Sequence, residues 1–187
     1  MDRIKYFDEL NTLAQYRIQA LANMAGADGT EEFTEDAIDE ILFYLIDSYV
    51  AGSNAVNEEL GTDIELRLED MQREIYRPIA GKTFEERIRE YASEMNLASI
   101  AEVTRTDTHR VFEAAAYQTA LKAGALYKVW NTTLDGKERD THAYLEGMRV
   151  PIGQEFYTYT GAHSQFPSEF GTPEEDCNCR CWLTYSM

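Results

Sequence analysis

Apolar residues recur every three or four positions over most of the first 124 residues, which is the period of an amphipathic α-helix. The first helix is predicted over residues 2–24 and ends at Gly26 and Gly29. The second is predicted to start at Thr34, whose hydroxyl can accept from free amides of the first turn, and to run to Leu60. The N-terminal third is therefore expected to be two helices.

Capping signals set the bounds of the next helices. Residues 62–65 (T-D-I-E) and 83–86 (T-F-E-E) both have the spacing of a capping box, so a helix is predicted to begin at each. The first of these should finish before Pro78, because proline disfavours helical geometry at the preceding residue. A long helix is predicted from Leu97 to Ala123, with Gly124 as its C-terminal cap.

The pattern changes after Gly124. Residues 126–130 (L-Y-K-V-W) have the aromatic and β-branched character of a strand. One or two helical turns are predicted over 137–144, a hairpin over 147–151 and a closing strand over 177–184. We therefore predict an α+β fold in which a mostly helical N-terminal two-thirds precedes a small β-rich C-terminal unit.

The predicted domains divide at Gly61. Residues 1–61 form an acidic N-terminal helical region, and residues 62–187 form a second domain. That domain consists of helices over 62–124 and the β-rich unit over 125–187.

The charge is strongly negative, with 34 acidic and 17 basic residues and a formal net charge of −17. Residues 1–61 alone carry 13 acids and 3 bases. Such a surface repels a phosphate backbone, so any DNA contact is expected to be weak or indirect. The acidity either solvates a helical surface or forms a face that docks on a basic partner.

Residues 41–46 (I-L-F-Y-L-I) are apolar on every side of the second helix and need a partner surface. That surface is either a neighbouring helix in a bundle or another subunit. The candidate docking residues are Ile41, Leu42, Phe43, Leu45 and Ile46. No run of 18 apolar residues occurs, so no membrane span is predicted.

The three cysteines lie within five residues, which is no disulfide framework and fits synthesis in a reducing cytoplasm. Cys177, Cys179 and Cys181 alternate, so in an extended strand all three would face one side. Two of them with His142 could bind a tetrahedral zinc that ties the last strand to the turns at 138–144. The candidate ligands are His142, Cys179 and Cys181, with Cys177, His163 or Asp140 as a further ligand. Alternatively, the cysteines are simply small buried residues.

The same region offers the residues for hydrolysis, since His142 and Glu146 have i, i+4 spacing near Asp135 and Asp140. However, neither a zinc-protease nor a nucleophile-elbow motif is present, and no enzyme is predicted. Trp130, Asp135 and Arg139 are expected to have structural roles.

The sequence resembles the phage Mu F-like head morphogenesis family. The resemblance covers about residues 75–187 and rests on short motifs in a fixed order. The motifs are G-K-T-F-E-E-R-I at 81–88, T-R-T-D at 104–107, K-V-W at 128–130, Asp135 through Arg139 to His142, L-E-G at 145–147 and N-C-R-C at 178–181. Two positions depart from the family: Asp107 stands where a glutamate is frequent, and Cys177 is an addition.

The resemblance implies a minor head protein that acts in head morphogenesis near the portal or inner capsid, with a link to DNA packaging or ejection. Its partners would be the portal protein or the major capsid protein, and further copies of the same chain if it forms an oligomer. Its location would be the virion head, after assembly in the host cytoplasm. Some relatives carry a further toxin or enzyme domain, and none is expected here. The alternative is a zinc-dependent hydrolase or toxin-like domain on the same scaffold, and a third reading is a plain helical adaptor.

Overall fold

The computed structural model describes residues 3–25 and 30–187 and confirms the α+β class. Five helices come first, and a strand-containing unit follows them. The helices are α1 (Arg3–Ala25), α2 (Thr30–Leu60), α3 (Leu68–Ile75), α4 (Phe84–Ser93), α5 (Leu97–Ala123), α6 (Asp140–Ala143) and α7 (Pro173–Asp176). The strands are β1 (Tyr127–Asn131), β2 (Arg149–Pro151), β3 (Phe156–Tyr157), β4 (His163–Ser164) and β5 (Trp182–Ser186).

Helix α5 is the centre of the helical layer. It packs most extensively on α2, and α1 and α4 also pack against it. The closest approach is at Gly52 of α2, where an added Cβ would lie 2.2 Å from the carbonyl oxygen of Phe112. Only glycine permits the two backbones to come this close.

One hydrophobic cluster joins the helices on both sides of Gly61. It combines Phe33 and Ile41 from α2 with Phe84 and Ile88 from α4 and Ile100 from α5. The helices of residues 1–61 and those of residues 62–124, which the sequence analysis assigned to different domains, therefore share a core.

The β unit packs on the C-terminal half of α5. Its main sheet has the order β2-β1-β5, with antiparallel pairing on both sides of β1. A second cluster forms between this sheet and α5, where Trp130, Leu145 and Leu183 contact alanines of the helix. The separate pair β3–β4 closes a small hairpin.

Several local predictions are confirmed. Thr83 forms the full capping box with Glu86, and α5 runs from Leu97 to Ala123 with Gly124 in the left-handed conformation as its cap. Helix α3 ends at Ile75, ahead of Pro78. In each case the signal lies within one turn of the helix end, so it needs no tertiary contact.

Other local predictions are wrong. Thr34 is not an N-cap, because α2 already begins at Thr30 and the Thr34 hydroxyl donates to the Thr30 carbonyl. Thr62 opens no helix: its hydroxyl donates to the Asn57 side chain, and α3 starts only after Arg67. The predicted ends at Gly26 and Gly29 lie outside the described residues.

The predicted strand positions also shift in the β unit. Residues 147–151 form no hairpin of their own; their last three residues make β2, which pairs with the distant β1. The hairpin lies instead at β3–β4.

The apolar run at 41–46 divides between core and surface. Ile41 and Leu45 are fully buried in the helical cluster, Leu42 is partly buried against it, and Phe43 and Ile46 are exposed. Docking through Ile41 and Leu45 is therefore ruled out, because α2 needs both for its own core. Among the described residues, no helix is both long and apolar enough to cross a bilayer.

A buried charge cluster fastens α1 to the C-terminal strand. Arg3 donates to the Leu183 carbonyl and lies 3.3 Å from Glu59 and 3.6 Å from Glu113. Glu113, on α5, is fully buried. Burial raises its pKa to about 8, although the Arg3 guanidinium favours the carboxylate.

Substitution of Gly52 tests the helix contact. Gly52→Ala is expected to lower the free energy of unfolding by about 1–3 kcal/mol, because α2 must move away from α5. Gly153→Ala is the matched control: Gly153 has no atom within 4 Å of an added Cβ, so its effect should be small. Urea denaturation of both variants measures the difference, and equal stabilities would contradict the close approach.

The raised pKa of Glu113 predicts a pH dependence. Between the ordinary carboxyl pKa of 4.5 and about 8, the folded chain keeps a proton that the unfolded chain loses. Stability from this group is therefore complete below the unfolded pKa and is lost as pH rises towards 8, by at most about 1.4 kcal/mol per pH unit. Glu113→Gln should flatten this slope. Denaturation of both proteins at pH 5, 6, 7 and 8 isolates the difference; parallel curves would contradict a proton on Glu113.

Candidate metal centre

The short helix α6 places His142 in the interior. Arg139 precedes the helix, and its guanidinium donates to the carbonyl of Cys177, which links the two chain segments. His142 is 1% exposed, so its ring lies in the core of the β unit. The sequence predicted one or two helical turns over 137–144, and the structure contains one short helix there, α6.

The cysteine segment is not part of a strand, contrary to the prediction. Cys177 follows α7 directly, Asn178 has a left-handed φ of 56°, and the Cys179 amide donates to Asp176. Strand β5 begins only at Trp182. The three cysteines therefore do not share one strand face: Cys179 and Cys181 are buried, whereas Cys177 is half-buried.

The turn brings both buried sulfurs to one nitrogen of His142. Nδ1 lies 3.6 Å from Sγ of Cys179 and 3.4 Å from Sγ of Cys181. All three ligand atoms lie within 4.8 Å of one another. In a tetrahedral zinc site, Zn–S and Zn–N bonds of ordinary length separate sulfur and nitrogen by about 3.6 Å. The group could therefore hold a metal ion with little movement.

The other nitrogen of His142 faces a carboxylate. Nε2 lies 3.1 Å from Oε2 of Glu175, and the Thr141 hydroxyl donates to the same oxygen at 2.8 Å. The contact meets the distance of an ion pair but not the geometry of a hydrogen bond. Many metal-bound histidines have a carboxylate beside the far nitrogen. Sequence reasoning missed Glu175, because nothing in its spacing from His142 marks it and only the fold brings α7 against α6.

Aromatic rings close the site. The ring of Phe170 stacks on His142 at 5.3 Å between centroids, and Trp130 meets it edge-on at 5.6 Å. Trp130 is fully buried. These rings cover His142 and lower the local dielectric constant, which strengthens any charge interaction among the ligands.

The two buried thiols have different pKa values. Burial opposes ionisation of Cys179, but hydrogen bonds from Cys181 and His142 hold its pKa well below the ordinary value. The hydrogen bond to Cys179 and burial both raise the pKa of Cys181. The pair thus favours one thiolate and one thiol, and a thiolate is the form that binds metal.

The further ligands named from the sequence lie elsewhere. His163 is on the exposed hairpin, 3.0 Å from Glu155 and stacked on Tyr157. Asp140 is exposed, and Cys177 does not join the cluster. Of the metal-ligating side chains in the described ranges, only His142, Cys179 and Cys181 form such a group.

The residues of the hydrolytic alternative are also separated. Asp135 accepts two hydrogen bonds of 2.7 Å from Arg180, and this interaction lowers the pKa of Asp135. Glu146 accepts from the backbone amide of Thr132. Both carboxylates hold the chain around the site, so neither is placed beside His142 as an acid or base.

Two curated relatives match about half of the chain. A minor head protein, GP7 of Bacillus phage SPP1, is 32% identical over 95 residues, which are 49% of this chain and 31% of that protein. An NAD(+)–arginine ADP-ribosyltransferase, EFV of Enterococcus faecalis, is 35% identical over 91 residues, which are 48% of this chain and 18% of that protein. The chain thus spans less than a third of either relative's length. No solved structure matches.

The family comparison extends further. The model of the Phage Mu protein F-like family matches residues 69–184, which include α4, α5, nearly all of the β unit and all three residues of the candidate metal centre. The match covers more than half of the sequence. The chain therefore belongs to the Phage Mu protein F-like family.

Proposed function

We propose that the protein is a structural component of a phage head that acts in head morphogenesis beside the portal or inner capsid. Family membership and the similarity to a minor head protein support this role. The observation that carries it is the interior of the candidate metal centre, where aromatic rings close over His142 and the carboxylates nearby hold backbone amides or arginines. Such a site fastens chain segments together.

The similarity to the ADP-ribosyltransferase bears on the alternative, an enzymatic role. The matched part is 18% of that protein. A segment of this size that a head protein and a transferase have in common is what we expect of a shared scaffold domain, which each protein combines with other parts. We therefore keep hydrolase or toxin activity as the alternative, and the structural role as the proposal.

Docking on the portal is proposed for the outer face of α2. Phe43, Ile46 and Val50 lie at i, i+3 and i+7 and are exposed by 63%, 37% and 49%. They form one apolar stripe on the helix. Exposed acids lie at both ends, with Asp39 and Glu58 among them. A partner surface with an apolar centre and a basic rim fits this pattern, and the acidic face disfavours direct DNA binding.

The docking stripe is tested in the phage that encodes the protein. Phe43→Ser with Ile46→Ser should reduce the copies per virion at least tenfold, because apolar anchors at interface centres contribute most of the affinity. Leu13→Ser with Tyr16→Ser, also exposed but on α1, is the matched control. Quantitative mass spectrometry of purified heads counts the copies.

The partner is identified by binding the purified chain to portal protein and to major capsid protein in parallel. Binding to the portal that weakens with salt supports the proposal. Unchanged incorporation of the α2 variant, with the control equally well incorporated, contradicts it.

Zinc is the metal we propose for the His142–Cys179–Cys181 group. Two sulfurs and one imidazole suit zinc, and a water in the nearby space of about 20 Å³ beside His142 and Cys181 would complete four ligands. The metal would tie the segment before β5 to α6 and stabilise a small sheet with a limited core.

Metal content tests the zinc site. Protein purified without chelator should contain close to one zinc, and Cys179→Ser should lose it. Cys177→Ser, a cysteine outside the group, should retain the metal. Glu175→Gln should weaken zinc binding about 10- to 100-fold, since it removes the partner of His142.

Sulfur-to-cobalt charge-transfer absorption in cobalt-loaded protein gives a second readout that does not depend on yield. If zinc is absent from the wild type, or if Cys179→Ser retains as much zinc as Cys177→Ser, the zinc site is wrong.

A further inference from the structure

A cavity of about 280 Å³ lies between the first half of α1, the middle of α5 and the segment that leads into β5. The docking stripe on α2 is not part of it. Two aromatic side chains, Phe7 and Trp182, are in its wall, and most of the other lining residues are polar or charged, Asn11, Thr12 and Thr133 among them. Small-molecule sites combine such aromatic surfaces with polar groups that fix the orientation of the ligand.

Arg105, in the middle of α5, borders this cavity and has no acceptor for its guanidinium. Its Nε is buried without a hydrogen-bond partner, and none of its nitrogens forms an ion pair within the part of the chain that the structure describes. A buried donor without an acceptor costs free energy comparable to a lost hydrogen bond. The arrangement is therefore expected to persist only if something else supplies the acceptor.

Arg77 and Arg110 also have buried nitrogens without a hydrogen-bond partner, but each contacts a carboxylate. Arg149 stacks on the ring of Tyr127, and each remaining arginine contacts a carboxylate or a backbone carbonyl. With 34 acidic residues against 17 basic ones, carboxylate partners are plentiful. Arg105 nevertheless borders the cavity without a carboxylate partner.

The arginines around the cavity differ in their partners. Arg3 is paired with Glu59, and Arg180 is paired with Asp135 and also lies in the field of Asp8. Asp8 is the one carboxylate among the described lining residues, and Arg105 is the one lining arginine without a carboxylate partner.

Cys179 and Cys181 also border the space. Arg105 is the lining arginine whose guanidinium has no partner, and its planar fork suits a carboxylate.

We propose that this cavity binds a small organic carboxylate, with the guanidinium of Arg105 pairing with the carboxylate and the organic part lying against Phe7 and Trp182. The site is separate from the docking stripe and does not depend on the zinc. Trp182 in the wall provides a signal for binding.

Benzoate is the probe, because it combines one carboxylate with a flat apolar body. Titration of the full chain should give a saturable change in Trp182 fluorescence that Trp182→Phe removes. Arg105→Gln should weaken binding at least tenfold, and Arg105→Lys, which keeps the charge without the fork, should lie between. Arg17→Gln is the matched control, because Arg17 is on α1 but outside the cavity wall and pairs with Glu40.

The variants should fold, since Arg105 has no ion pair to lose among the described residues, and thermal unfolding checks this. Binding within twofold of wild type in folded Arg105→Gln, or no saturable response in the wild type, overturns the proposal.

The titration is run after zinc loading and after chelation. Dependence on Arg105 in either state supports the site. A response that needs the metal but is unaffected by Arg105→Gln overturns it, because benzoate would then bind the metal. This outcome is distinct from failure of the zinc proposal, which metal analysis alone decides.

Discussion

The close packing of α2 on α5 is the contact on which the rest of the molecule depends. At Gly52 the two backbones approach so closely that no Cβ fits between them. This approach buries the apolar side of α2 and leaves the other sides of α5 for α1, α4 and the β unit. Both hydrophobic clusters include residues of α5, so a shift of α2 would disturb the helical core and the sheet together.

Because α5 is surrounded by protein, its polar residues had to find partners inside the fold. Asp107 is fully buried and binds Arg87 of α4 at 2.6 Å, while His109 contacts the Ser168 hydroxyl at 2.9 Å. Glu113 meets Arg3 of α1. Each contact ties α5 to a different segment, and truncating one partner would leave a buried polar group unpaired. The guanidinium of Arg105 forms no such contact among the described residues, and it borders a cavity.

The candidate metal centre depends on the same arrangement. The sheet carries Trp130 and rests on alanines of α5, and α6, α7 and the cysteine segment gather at its edge. Two sulfurs and an imidazole nitrogen then lie at the spacing of a tetrahedral site, with Glu175 behind the ring. The outer face of α2 lies apart from this centre and carries the exposed apolar and acidic residues. The proposed fastening within the fold and the proposed docking face outside it suit the structural role proposed for the protein.

The sequence by itself determined the helix ends at Thr83 and Gly124, the α+β class and the identity of His142, Cys179 and Cys181. These features depend on a few neighbouring residues or on residue type. Tertiary structure decided where Thr34 and Thr62 hydrogen-bond, which residues of 41–46 are buried, and where Glu175 and Arg105 lie. It also replaced the expected cysteine strand with a turn, because the left-handed Asn178 and the end of α7 direct the chain inward. Contacts between segments far apart in sequence set these features, and no local pattern records which segments meet.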